Sequence, residues 1–221
     1  MKKYVLIVAG GKGLRMGHEL PKQFIPINGK PMLMHTLDIF HKWDASAEII
    51  LVLPESHQSY WHMLCEELYC TTPHRVVNGG ETRFHSVRNG LAEVTEEGLV
   101  GIHDGVRPFV APEVITACFD MAARTQAAIP VVEVTDSIRE KEGECSFPVD
   151  RSRYVAVQTP QVFSSAILHK AYAASYSPFF TDDASVVEAS GYNVSLIEGN
   201  RENVKITTTL DLLLAKALLK T

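Results

Sequence analysis

Tyr4-Val5-Leu6-Ile7-Val8-Ala9-Gly10-Gly11-Lys12-Gly13-Leu14-Arg15-Met16-Gly17 runs from an unbroken apolar stretch straight into a basic loop with glycines at 10, 11, 13 and 17. Continuous apolar character bounded by glycine reads as a strand buried on both faces. In an open α/β sheet, ligands bind beyond the carboxyl ends of the strands. The loop after Val8 is therefore the first place to look for a site. Glycine lets backbone amides approach phosphate oxygens closely. The spacing departs from the dinucleotide fingerprint, because with Gly11 and Gly13 as its first pair the third glycine falls on Met16. No Gly-Lys-Ser/Thr makes a Walker-type loop either. Alone, such a loop also reads as a plain tight turn.

Outward from this loop, strand and helix signals alternate. Ile49 to Leu53, Val100 to His103 and Ala128 to Val132 repeat the buried-strand pattern. Between them, Leu33, Leu37 and Phe40 share a helical face, as do Ile115, Cys118, Phe119 and Ala122 behind Pro112. Leu210, Leu213, Leu214, Ala217 and Leu218 make an apolar stripe on a last helix, started by a capping-box-like Thr208 and Asp211. Alternation of this kind predicts an α/β fold, a three-layer arrangement with a mostly parallel sheet and helices on both faces. We expect one domain over 1–221. Ser137 to Asp150 breaks the rhythm: two extended pieces flank a polar, glycine-centred turn, as in a projecting hairpin. It reads either as an exposed surface loop or, over 136–151, as an arm that packs on another subunit.

Composition narrows the function classes. A net charge of -5 argues against general nucleic-acid binding, so an anionic ligand must be met by a local basic cluster. No apolar run approaches a membrane span, and the start carries no cleavable signal pattern. Cys65, Cys70, Cys118 and Cys145 form no CxxC pair or zinc set and read as free thiols. These features predict a cytoplasmic protein. Arg15 in the loop and Lys22 in Leu20-Pro21-Lys22-Gln23 bring a forked guanidinium and an ammonium, both suited to polyphosphate. His35, His41 and His57 read as ordinary helix-surface residues.

Taken with Ala9-Gly10-Gly11, Gly13, Arg15-Met16 and Pro21-Lys22-Gln23, further strings make a familiar series. They are Gly79-Gly80-Glu81-Thr82-Arg83-Phe84-His85-Ser86-Val87, His103-Asp104-Gly105-Val106-Arg107-Pro108, Val149-Asp150-Arg151-Ser152, Gln158-Thr159-Pro160-Gln161, Thr181-Asp182-Asp183-Ala184-Ser185 and Gly199 to Thr207. In this order, over essentially the whole chain, they resemble the cytidylyltransferases of the isoprenoid pathway, the 2-C-methyl-D-erythritol 4-phosphate cytidylyltransferase family. The resemblance implies a Rossmann-like nucleotidyltransferase fold with a projecting β-arm. It implies transfer of CMP from CTP to the phosphorylated polyol, release of pyrophosphate, and a requirement for Mg²⁺ or another divalent cation. It also implies a homodimer formed through the arm.

Residue by residue, the resemblance puts Arg15 and Lys22 at the α-phosphate and leaving pyrophosphate, and Arg151 and Lys205 on the alcohol phosphate. Together these are the catalytic set. Ala9, Gly10, Gly11, Gly13, Lys22, Gly79, Gly80, Glu81, Ser86, Asp104 and Gly105 fall on nucleotide-binding positions. Asp104, Arg107, Ser137, Arg151, Thr159, Thr181 and Lys205 fall on the substrate side. Asp104, expected at a strand end, is the candidate metal ligand. Lys12 joins the same basic group. Gly105 stands where the family commonly has Ala, a swap expected to be mild. Glu81 replaces the usual Asp, and Ser137 the more frequent Thr. Arg107 has two readings, a phosphate contact or a loop brace. Thr181 and Asp182 read equally as a helix cap and first-turn acid. A ribitol 5-phosphate cytidylyltransferase is the nearest alternative. A non-catalytic nucleotide sensor is the other, and retention of Arg15, Lys22, Asp104, Arg151 and Lys205 speaks against it.

Overall fold

The computed structural model describes residues 1–10 and 20–219. Gly11, Lys12, Gly13 and Arg15, all assigned above, lie outside the described residues. In chain order the elements are β1 (Lys2–Val8), β2 (Pro26–Ile27), β3 (Lys30–Pro31), α1 (Met32–Trp43), β4 (Glu48–Leu53), α2 (Glu55–Glu67), β5 (Arg75–Asn78), α3 (Arg83–Leu91), β6 (Gly98–Asp104), α4 (Pro112–Thr125), β7 (Ala127–Glu133), β8 (Arg139–Glu142), β9 (Cys145–Pro148), β10 (Val155–Val157), β11 (Gln161–Ser164), α5 (Ser165–Tyr172), α6 (Asp183–Ala189), β12 (Ser195–Glu198) and α7 (Thr209–Leu218).

Strands β6, β1, β4 and β5 lie side by side and parallel. β11 runs antiparallel between β6 and β7, and β12 adds to β7 in parallel. The burial of β1 on both faces, expected from its continuous apolar run, is seen in its packing. Val5 and Ile7 join a core with α1, α2 and α4. Tyr4 and Leu6 join the opposite core with α3, α5 and α6. Both faces are thus covered, which is why the strand is apolar without interruption from Tyr4 to Val8. β10 and β11 follow the same edge of β7, but Val157 pairs Val131 whereas Val162 pairs Ala128. Four residues, 158–161, lie between these pairs on one strand against two, 129 and 130, on the other, and the excess of two makes a bulge. It contains Gln158 to Pro160, with a cis peptide at Thr159-Pro160. Bulges of this kind re-aim side chains next to sites.

Two details qualify the sequence reading. The hairpin β8–β9 is formed, closed by Gly143-Glu144 with Gly143 at φ +60°, and both strands are exposed along their length. α7 does begin with a Thr208–Asp211 capping box, but its buried residues are Leu212 and Ala215. Leu210 and Leu213 are 74% and 60% exposed. The apolar stripe read from the sequence is therefore not the face this chain buries. The covered face meets Ile25, Ile27, Met32 and Ile206 in a third, smaller core beneath the β2–β3 hairpin. No helix among the described residues is long and apolar enough to cross a membrane.

Candidate active site

Parallel register brings the carboxyl ends of β1, β4, β5 and β6 to one edge: Val8 pairs both Val52 and Asp104, and Leu53 pairs Asn78. The segments that leave this edge carry Ala9-Gly10, Gly79-Gly80 and Asp104-Gly105. Backbone hydrogen bonds tie them down: the Ala9 amide donates to Val52 O at 3.0 Å, Gly79 to Leu53 O at 2.7 Å, and Gly105 to Val8 O at 2.9 Å.

The glycines are needed where backbones meet. A Cβ at Gly80 would lie 2.4 Å from His85 Cβ. That close approach lets the Gly80 amide donate to Ser86 Oγ at 3.0 Å, and Ser86 Oγ–H in turn donates to Thr82 O at 3.0 Å. Thr82 caps α3, as its sequence position suggests. Gly10 sits beside the same hydroxyl, with its notional Cβ 3.8 Å from Ser86 Oγ. Gly10, Gly80 and Ser86 are thus gathered, and Glu81 is exposed beside them. Gly105 overturns one expectation. A methyl there would stand 2.8 Å from Ala9 Cβ and 3.1 Å from Leu33 Cδ1. Alanine is therefore not a mild replacement in this chain, because Ala9, just beyond β1, occupies the space.

Asp104 closes the edge. Its Oδ2 lies 3.2 Å from Arg107 Nε and 3.1 Å from Lys205 Nζ, and its Oδ1 lies 3.7 Å from Arg83 Nε. Burial alone would raise its pKa. Arg83, then Lys205 and Arg107, outweigh that and hold the carboxyl well below the usual range. Arg107 also donates from Nη1 to Asn203 O at 2.7 Å, which is the loop-bracing geometry of its two readings. Lys22, in a single 3-10 turn, donates to Thr207 O at 2.6 Å and so joins the 205–207 segment. Gln23, almost fully buried, donates to Ala9 O at 2.8 Å and has His57 Nδ1 at 3.3 Å.

Behind Asp104 lies a buried polar chain. His103 Nε2–H donates to Arg107 O at 2.9 Å, which leaves Nδ1 to accept from Thr159 Oγ–H at 3.0 Å. Thr159 Oγ accepts from the Asp104 amide at 3.1 Å. Burial pushes the His103 pKa down to about 4, so the ring is neutral at physiological pH. Thr159 is buried with its hydroxyl turned to these two partners rather than to open space. Its place is that of a brace for Asp104. Thr181 is exposed, and Asp182 rather than Thr181 caps α6, through a capping box with Ser185.

Ser137 and Arg151 are elsewhere. Both are exposed at the base of the hairpin, where Arg151 donates to Thr135 O. Among the described residues, neither shares a hydrogen bond or ion pair with the Asp104 cluster.

Residues 4–221 match the family model of 2-C-methyl-D-erythritol 4-phosphate cytidylyltransferase. The chain belongs to that family. A relative of this name from Bacteroides thetaiotaomicron is 58% identical over 219 residues, covering 99% of this chain and 100% of the relative. One from Porphyromonas gingivalis is 54% identical over 220 residues, at 99% and 98% coverage. The crystal structure of the Thermus thermophilus enzyme superposes with a TM-score of 0.79 at 33% identity, covering both chains fully. That of the 4-diphosphocytidyl-2C-methyl-D-erythritol synthase from Anaerococcus prevotii gives 0.84 at 28% identity, covering 100% of this chain and 96% of that one.

Residues left unassigned in the sequence nevertheless shape the site. His103, Gln23 and Asn203 lie within the quoted strings, but their contacts with Thr159, Ala9 and Gln158 are 56, 14 and 45 positions away and no local pattern discloses them. Arg83 does carry a signal. It is a cation in the first turn of α3, where the helix dipole disfavours positive charge.

Proposed function

We propose that this chain transfers CMP from CTP to 2-C-methyl-D-erythritol 4-phosphate, giving the CDP-linked alcohol and pyrophosphate for isoprenoid synthesis. The observation that carries the reading is the strand-end cluster. Asp104 and Lys205 share an ion pair, Lys22 binds the same 205–207 segment, and Ala9-Gly10 opens alongside. A phosphate oxygen of the polyol phosphate attacks the α-phosphorus of CTP; the new P–O bond forms as the bond to pyrophosphate breaks. The attacking group is already an anion, so no covalent protein intermediate is required. Catalysis then rests on placement and on stabilising charge around one phosphorus.

By their family positions, Lys22 and Arg15 would face the α-phosphate and leaving pyrophosphate, and Lys205 the polyol phosphate. Gly80 and Ser86 would bind the cytidine end, with backbone groups reading the base edge. A single carboxylate at a strand end suits a hard cation that draws its other ligands from phosphate oxygens and water. Asp104 would hold Mg²⁺ in this way, and the bound ion would neutralise triphosphate charge. Arg151 and Ser137, exposed at the arm base, fit a homodimer in which the arm of one chain completes the site of the other. Free cysteines fit a cytoplasmic setting.

The test is pyrophosphate release from CTP and Mg²⁺ with methylerythritol phosphate or ribitol 5-phosphate. Release with the former is expected. Release with ribitol 5-phosphate alone overturns the substrate assignment.

A further inference from the structure

Asp104 and Asp183 are two enclosed carboxylates that share one arginine. Arg83 donates from Nη1 to Asp183 Oδ1 at 2.7 Å and from Nη2 to Asp183 Oδ2 at 2.6 Å. The Asp183 side chain is 0% exposed and also accepts from Tyr172 O–H at 2.6 Å. Two parallel bonds to a fixed carboxylate lock a guanidinium in its plane. The remaining Nε then faces Asp104 Oδ1. Arg107, the second cation on Asp104, is likewise held by Asn203 O. Lys205, the third, differs. Its side chain is 47% exposed, and among the described residues Asp104 is its only ion-pair partner.

We infer that Arg83 is a positioning residue for the transfer: together with Arg107 it is a fixed counter-charge of Asp104, and it allows Lys205 to leave Asp104 for the substrate phosphate. The inference rests on the proposed cytidylyl transfer and on the place of Lys205 in it. Without Arg83, departure of Lys205 would leave Arg107 as the chain's one remaining cation on an enclosed carboxylate, and the lysine would be held back. An ammonium cannot do the same work at position 83, because it lacks the fork that serves Asp183 while a third nitrogen faces Asp104. The carboxylate is divided: Oδ1 faces Arg83, and Oδ2 is shared between Arg107, which stays, and Lys205, which moves.

The test is a double-mutant cycle between this pair and Lys205. Arg83→Gln with Asp183→Asn removes both charges together and keeps hydrogen-bonding groups, so no lone buried charge is left. Turnover and both KM values are measured for this variant, for Lys205→Ala, and for the combination, with melting curves as the check on folding. If Arg83 acts through Lys205, the neutral pair lowers kcat roughly tenfold or more when Lys205 is present, and by less than about threefold when it is absent. Equal losses in both backgrounds overturn the inference, because a merely structural role does not depend on Lys205. Should the neutral pair fail to fold, Arg83→Lys, which keeps the charge without the fork, is read through the same cycle. A wild type that makes no CDP-alcohol contradicts the proposed function itself. A wild type that does, with an additive cycle, sinks only the role of Arg83.

Discussion

Asp104 and Arg151 are assigned to neighbouring tasks by the family resemblance, yet they live in opposite surroundings. Asp104 is buried at a strand end, ringed by Arg83, Arg107 and Lys205, and braced from behind by Thr159 and His103. Arg151 is exposed at the foot of a hairpin whose strands are exposed throughout. The first region is over-determined by its own chain. The second has little in its own chain to hold it. Residues that handle a nucleotide at the edge of a parallel sheet can be fixed by the fold that makes the sheet. Residues carried on an arm need something else to pack against before their positions mean anything.

The sharpest break between the regions should appear on removing charge near the cluster. Lys22→Ala is expected to lower kcat by about 10²- to 10³-fold, as loss of one stabiliser of transition-state charge does, with smaller effects on either KM. Steady-state kinetics check this, and an unchanged kcat removes Lys22 from the mechanism. Asp183→Ala strands Arg83 beside an emptied buried site and should cost about 3 kcal/mol in denaturant unfolding. A loss below about 1 kcal/mol, roughly that of an exposed pair, would show that this side is not rigidly built.

The cluster should also be sensitive to pH. His103 is held neutral by burial with a pKa of about 4, whereas an unfolded histidine titrates near 6.5. Between these values the unfolded chain binds the proton and the folded chain does not. Stability from this group is therefore full above about pH 6.5 and is lost as pH falls towards 4, by about 3 kcal/mol in total. His103→Gln should flatten that part of the stability curve, and an unchanged slope would place the proton elsewhere.

Smaller effects sharpen the contrast. Gly105→Ala should cost about 1–2 kcal/mol through overpacking against Ala9 and weaken CTP binding by displacing the loop start. Calorimetric binding equal to wild type would mean the loop yields freely. Arg151→Ala should change unfolding free energy by less than about 0.5 kcal/mol, as surface substitutions do. It should raise KM for the phosphoalcohol and leave CTP binding intact. A loss confined to CTP affinity would move Arg151 to the nucleotide side.

The same contrast explains what the sequence could disclose. Strand β1 was legible because burial on both faces leaves a continuous apolar run, and the faces of α1 and α4 because one-sided burial imposes a helical period. The face of α7 was not. Its sequence shows where leucines fall, but only the third core decides that Leu212 and Ala215 are the covered ones. Gly105 seemed interchangeable with alanine because the approach of Ala9 comes from a parallel strand far away in the chain. Thr181 read as a cap and Asp182 as a first-turn acid, but the cap falls one residue later, on Asp182, which Gln161 also binds. The motif containing Arg83 was visible, but its partner Asp183 lies 100 residues on. No local pattern pairs them.

The central claim is that one half of the site is built within the chain and the other half arrives from a second copy. Mixing Lys205→Ala protein with Arg151→Ala protein, after dissociation and reassociation, tests it directly. Each variant alone carries one defect in every site. If the arm completes the neighbour's site, mixed dimers contain one site with both defects and one with neither, and CDP-alcohol synthesis returns on mixing. Mixtures that stay as inactive as their components would contradict the account and place Arg151 in the site of its own chain.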